Sequence, residues 1–163
     1  FGQSLACLNA AAWLDGKMLL RLSGSELAVN RDRTLLEQEY ELEVADANVW
    51  SLVSTFEHDY FKPDAAMLQV SIDLPAATED IILPGEQLID WGGARRYLKT
   101  PLALENVRAA VRPLGGSVKL LHREQGKSYF QALSPALMAI HQRIKASFDP
   151  KGIFNPGRLY PDL

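Results

Sequence analysis

Between positions 67 and 74 the side chains alternate without a break: Leu68, Val70, Ile72 and Leu74 are apolar, while Gln69, Ser71 and Asp73 are polar. A period of two matches the alternation of side chains across a β-strand and fits no helix. One face of such a strand belongs in a core and the other toward water. That pattern is antiparallel, because parallel strands are apolar on both faces. The segment needs strand partners and a cover for its apolar face, and the rest of the chain supplies candidates for both.

Asp15-Gly16 is a two-residue hairpin signal between the apolar stretch 5–14 and a returning strand at 18–22. Further extended segments are expected at 41–45, 88–91, 95–98 and 118–122. Gly92-Gly93 would mark a bulge or a close backbone approach. Ser23-Gly-Ser-Glu26 has capping-box spacing, with the Ser23 hydroxyl accepting from the Glu26 amide, and predicts a helix to about Leu36. Its charged middle, Asn30-Arg-Asp-Arg33, is expected to face solvent. Asp46 or Asn48 would cap a brief helix through Trp50, Leu52 and Phe56. Thr100-Pro101 starts a helix whose stripe is Leu104, Val107 and Val111, ended by Pro113. Ser134-Pro135 starts the last helix, with Leu137, Ile140 and Ile144 expected inward, and Asp149-Pro150 stops it. The order predicts an α+β domain, an antiparallel sheet with helices packed mainly on one face. Loops fall at 57–66, 75–87 and 123–128.

Length and charge narrow the function. At 163 residues and 47% hydrophobic, the chain is large enough for one domain with a core. Lys and Arg total 17 against 20 Asp and Glu, so no basic field exists to hold nucleic acid. The single cysteine, Cys7, can form no internal disulfide and cannot supply the thiolates of a zinc or iron–sulfur site, which suits a reducing, cytoplasmic compartment. No apolar run approaches the about 20 residues that span a bilayer. His58, His122 and His141 have no metal-ligand spacing, so no metal site is expected. The G-x-S-x-G, Walker and Rossmann motifs are absent. The opening at Phe1, almost directly into an apolar stretch, predicts a domain excised from a longer chain.

Two stretches could carry chemistry. In Ile89-Asp-Trp-Gly-Gly-Ala-Arg-Arg-Tyr-Leu98, Arg95 and Arg96 can each grip a carboxylate with paired hydrogen bonds. On a regular strand they point to opposite faces, so at most one meets a given ligand. The second stretch is the tail from Ser147 to Pro161, too rich in turn residues for helix or strand and too apolar for disorder. Asn155-Pro-Gly157 offers a rigid turn with exposed amides beside Arg158, suited to an anionic or polar cofactor edge. A tail that staples the last helix to the sheet through Phe148, Ile153 and Phe154 is equally natural from composition.

Phe148-Asp-Pro-Lys-Gly-Ile-Phe-Asn-Pro-Gly-Arg158 resembles the C-terminal signature of FAD-linked oxidases of the vanillyl-alcohol-oxidase type. Leu22-Ser-Gly-Ser-Glu26 and Asp90-Trp-Gly-Gly-Ala-Arg-Arg-Tyr97 are further similar to E-type subunits of glycolate oxidase. The resemblance implies that residues 1–163 are a single C-terminal, ferredoxin-like cap, with the N-terminal FAD-binding domain outside this chain. It implies FAD as cofactor of the full-length subunit, held weakly if at all by the cap alone. Asn155, Gly157 and Arg158 then lie near the flavin, and Arg95 and Arg96 on the substrate side. The implied activity is a share in oxidising glycolate, a small 2-hydroxy acid, to glyoxylate by hydride transfer. Implied partners are a D-type flavin subunit and an iron–sulfur F-type subunit, which could attach the protein peripherally to the inner membrane. The chain lacks the H-x-G-D-G-N-x-H run of related 2-hydroxy-acid dehydrogenases. No catalytic residue is assigned, and a structural or subunit-docking cap is the alternative.

Overall fold

A computed structural model describes residues 5–75, 81–122 and 128–163. The expected loop segments 76–80 and 123–127 lie outside the described residues. The chain opens with the predicted hairpin, β1 (Leu8–Leu14) and β2 (Lys17–Leu22). Asp15 and Gly16 both take positive φ, 51° and 75°, as a turn matched to strand twist requires. Helices α1 (Glu26–Glu37) and α2 (Val49–Ser54) follow, then β3 (Leu68–Asp73), β4 (Glu86–Asp90), β5 (Arg95–Thr100), α3 (Leu104–Val111), β6 (Ser117–Leu120) and α4 (Pro135–Phe148). The strands form one sheet in the order β2-β1-β4-β5-β3-β6, with every pair antiparallel. The fold is α+β, as the alternation at 67–74 and the interspersed helices predict.

Alternation sorts the side chains onto two faces. On the first, Val70, Ile72, Leu98, Val118 and Leu120 pack against Leu104, Val107 and Val111 of α3, and Val107 and Val111 have no exposed surface. Each fully buried aliphatic side chain contributes about 1.5–3 kcal/mol relative to exposure. On the second face, Leu14, Leu88 and Tyr97 meet Val53 of α2 and the pair Tyr60 and Phe61 from a short 3-10 turn. Phe56, Phe61 and Tyr97 stack edge to face or tilted, with ring centroids 4.8–5.7 Å apart. The Tyr60 hydroxyl donates to the carbonyls of Glu86 and Tyr97, tying this cluster to β4 and β5.

Several local expectations give way to packing. Gln69 and Ser71 do not face water; they are 4% and 7% exposed, because the segment before β3 folds over this face. Gln69 satisfies its amide there, donating to the Lys62 carbonyl at 2.7 Å while its oxygen meets His122 Nε2 at 2.7 Å. The cap of α1 is Ser25, whose hydroxyl accepts from the Ala28 amide, whereas Ser23 takes Asn9 as partner. Within the expected solvent face of α1, Asp32 is fully buried. Its carboxylate accepts the Cys7 amide at 2.7 Å and the Arg31 guanidinium at 2.6 Å, which together hold its pKa below the ordinary value. Positions 41–45 form no strand. Gly92 and Gly93 serve conformation: both have positive φ within the tight turn joining β4 to β5, and a Cβ at either would meet nothing within 4 Å. Close approaches lie instead at Gly85, where a Cβ would collide with the Lys99 carbonyl oxygen, and at Gly116, where it would stand 2.6 Å from the Leu74 and Val111 side chains.

The largest departure is α4. Ser134 caps it and Pro135 opens it as predicted, yet none of its residues is buried. Leu137, Ile140 and Ile144 are 48%, 41% and 53% exposed. Phe148, Ile153 and Phe154 are exposed as well, so they do not staple α4 to the sheet.

Candidate functional site

An open cleft of about 770 Å³ lies on the second face of the sheet. Its wall at β5 is made by Arg95 and Tyr97, and the turn after β4 adds Asp90 and Trp91. The strand register explains this grouping: Arg95 pairs with Asp73 on one side and Asp90 on the other, so all three side chains share a face. Arg95 Nε donates to Asp73 Oδ1 at 2.9 Å, and Lys119 Nζ holds Asp73 Oδ2 at 2.6 Å. Burial pushes the Asp73 carboxyl up, but these two cations outweigh it and leave its pKa lowered. The Arg95 guanidinium lies over the Trp91 ring, 4.4 Å from its centroid. Asp90 Oδ1 accepts the Trp91 amide at 2.7 Å and sets the start of the turn.

At the far side of the cleft, β2 contributes Arg21, and α2 lays Trp50 beside it at 5.4 Å. Arg21 Nε donates to Asn9 Oδ1 at 2.7 Å. Ala10 and Ala11 of β1 leave the space between the two walls open. Sequence inspection missed Arg21. The signal was present, since the two-residue Asp15-Gly16 turn fixes the hairpin register and pairs Arg21 with Ala10.

Arg96 points to the opposite face, as strand alternation requires. It is 5% exposed, its Nε reaches the Gly93 carbonyl at 3.4 Å, and it lines a smaller cleft of about 500 Å³ with Trp13 and Ile89. The two arginines are therefore not brought together.

Asn155, Gly157 and Arg158 form an exposed turn that lines neither cleft. The expectation of free amides there is corrected. The Arg158 amide donates to the Asn155 carbonyl at 3.2 Å, and the Gly157 amide donates to the Leu163 carbonyl. Arg158 Nη1 also meets Asn155 Oδ1 at 3.3 Å. What this corner offers is a guanidinium rather than an amide cradle, so it fits an edge contact with a flavin and not a phosphate nest. The tail is organised by Asp149, which is buried at the end of α4 and accepts from the amides of Ile153 and Phe154 and from Lys145 Nζ. The Lys145 bond, followed by the two amides, holds the Asp149 carboxyl below its ordinary pKa.

The histidines have separate duties. His58 Nδ1 accepts the Tyr60 amide, His122 joins Gln69 and the Phe61 carbonyl, and His141 is exposed on α4. Among the described residues, no group of three or more His, Cys, Asp or Glu could hold a metal ion, and no helix is long and apolar enough to cross a membrane.

Residues 99–159, which hold the end of β5, α3, β6, α4 and the Asp149-centred tail, match the family model described as FAD linked oxidases, C-terminal domain. Over these residues the chain is similar to the C-terminal domain of FAD linked oxidases. It is also 35% identical over 156 residues to the glycolate oxidase subunit GlcE of Escherichia coli (strain K12), a match covering 96% of this chain and 42% of the relative. The chain thus spans about two fifths of the length of the curated relative it matches. No solved structure matches it. The tail and α4 fall inside the matched residues, whereas the cleft's β1, β2 and α2 walls lie before them.

Proposed function

We propose that this domain is the substrate-side cap of a glycolate oxidase FAD-binding subunit, contributing to oxidation of glycolate to glyoxylate in a multi-subunit complex. The observation that carries the proposal is the apolar face of α4 and the tail. Ile144, Phe148, Ile153 and Phe154 are more than half exposed, inside the stretch that matches the FAD linked oxidases. Apolar side chains grouped this way mark a surface meant to be covered. In the proposal the cover is the flavin-binding part of the same subunit, and Asn155, Gly157 and Arg158 stand at the flavin's edge.

A bound FAD would supply the hydride acceptor for the substrate's hydroxyl-bearing carbon. This chain's residues position the substrate and limit water around it. The cleft beside β5 receives the 2-hydroxy acid, with Arg95 and the Trp91 ring as one wall and Tyr97 beneath. Arg96, on the opposite face, shapes the sheet and does not meet the same ligand. A D-type flavin subunit and an iron–sulfur F-type subunit are the proposed partners.

A docking role without chemistry is the second reading. The Asp73 partner of Arg95 favours it, because a guanidinium already paired has less to give a substrate. Purification of the flavin-containing full-length subunit alone separates the two. Bleaching of its flavin absorbance by glycolate is the expected result. A bound flavin that glycolate leaves oxidised would favour docking.

A further inference from the structure

We propose that Arg21, and not Arg95, receives the carboxylate of a small organic acid in the cleft on the second face of the sheet. The inference rests on the cleft being the substrate side, and deepens that reading by naming the group that grips the anion. Both arginines line the cleft and both lie beside a tryptophan ring, at 5.4 Å for Arg21 and 4.4 Å for Arg95. Their charges are balanced differently.

At the Arg95 end, Arg95 and Lys119 share Asp73, and Asp90 adds a second carboxylate to the same wall. Two cations face two anions there, so that end attracts an incoming carboxylate little. Arg21 forms no ion pair among the described residues; its hydrogen-bond partner is the neutral amide oxygen of Asn9. The charge left for a ligand to neutralise is therefore Arg21's. Asn9 Oδ1 occupies Nε, while Asn9 Nδ2 is held by the Ser23 hydroxyl. This fixes the guanidinium on one side and leaves both Nη groups for a forked pair of bonds to carboxylate oxygens. Trp50 supports the ring-facing side of the fork.

The sheet order also makes the two arginines alternatives. Three strand spacings, about 14 Å, separate the β2 and β5 backbones. The bond to Asp73 on β3 draws Arg95 toward the side of β5 away from β2. A two-carbon acid held at Arg21 leaves the cleft's remaining volume, toward Trp91 and Tyr97, for the group that reacts with it.

The test uses the flavin-containing complex and two probes: glycolate turnover, and calorimetric titration with oxalate, which carries the carboxylate but no hydroxyl-bearing carbon to oxidise. R21M is expected to weaken oxalate and raise KM for glycolate together by about tenfold or more, the scale of a charge-assisted hydrogen bond. R21K, which keeps the charge and loses the fork, should fall between wild type and R21M. R95M should weaken oxalate less than R21M does. The proposal is overturned if R21M binds oxalate within about twofold of wild type, if R95M loses as much as R21M, or if wild type binds no oxalate. If oxalate binding depends on Arg21 but wild type does not oxidise glycolate, the carboxylate site stands and the glycolate reading falls.

Discussion

Helices α3 and α4 carry similar apolar stripes and meet opposite fates. In α3, Leu104, Val107 and Val111 recur at helical spacing and are buried against the sheet. In α4, Leu137, Ile140 and Ile144 recur in the same way, and each is at least 41% exposed. The difference lies in tethering. A short connection, Thr-Pro-Leu-Ala at 100–103, and the close approach at Gly116 press α3 onto β3, β5 and β6. The described strands hold the segment leading into α4 only at its start, through the bridge between Lys119 and Phe130 and the Val118 amide donating to Gln131 Oε1 at 3.2 Å. Amphipathic spacing therefore says that a face will be covered without saying by what.

Truncating one stripe and then the other tests this contrast most directly. Leu104→Ala should cost about 3 kcal/mol in urea unfolding, as a buried leucine that leaves a cavity does. Ile140→Ala in the same chain should change stability by less than about 0.5 kcal/mol. In the full-length subunit the Ile140 substitution should become costlier; equal costs in both settings would mean that α4 is a free surface helix. A smaller effect is expected at Gly116, between α3 and β6. Gly116→Ala places a methyl 2.6 Å from Leu74 and Val111 and should cost about 1–3 kcal/mol by overpacking, measured by thermal unfolding.

The smallest effect concerns the tail and depends on pH. Asp149 titrates below its unfolded value, so its contribution is fully present above about pH 4 and is lost as pH falls through the lower folded pKa. Amide exchange at Ile153 and Phe154 should accelerate, after correction for the intrinsic rate, as pH falls below about 4, with protection elsewhere retained. Asp149→Asn should show the faster exchange already at neutral pH. An unchanged tail in that variant would mean that its backbone conformation holds without the carboxylate.

Much of the scaffold was legible along the chain because its signals are local. Asp15-Gly16 specifies a turn with two positive φ angles, and β3 alternates so regularly that its apolar residues are assigned to one face. Arg95 and Arg96 could be assigned to opposite faces for the same reason. The burial of Asp32 was not legible, since the amide it serves, Cys7, is 25 residues away. Nor was the cap at Ser25: both Ser23 and Ser25 suit the role, and the Asn9 bond decides between them.

The candidate site divides along the same line. The sequence by itself determined the family-like tail, the antiparallel α+β plan and the two arginines on β5, because each depends on residues within a few positions of one another. Only the tertiary structure decided that Arg95 is balanced by Asp73 and Lys119, that Arg21 and Trp50 close the far wall, and that the tail's amides are spent internally. Those facts depend on strand order, β2-β1-β4-β5-β3-β6, which brings distant segments side by side and sets which charges neutralise which. Charge balance in a cleft is a property of neighbours in space, and no spacing along the chain encodes it.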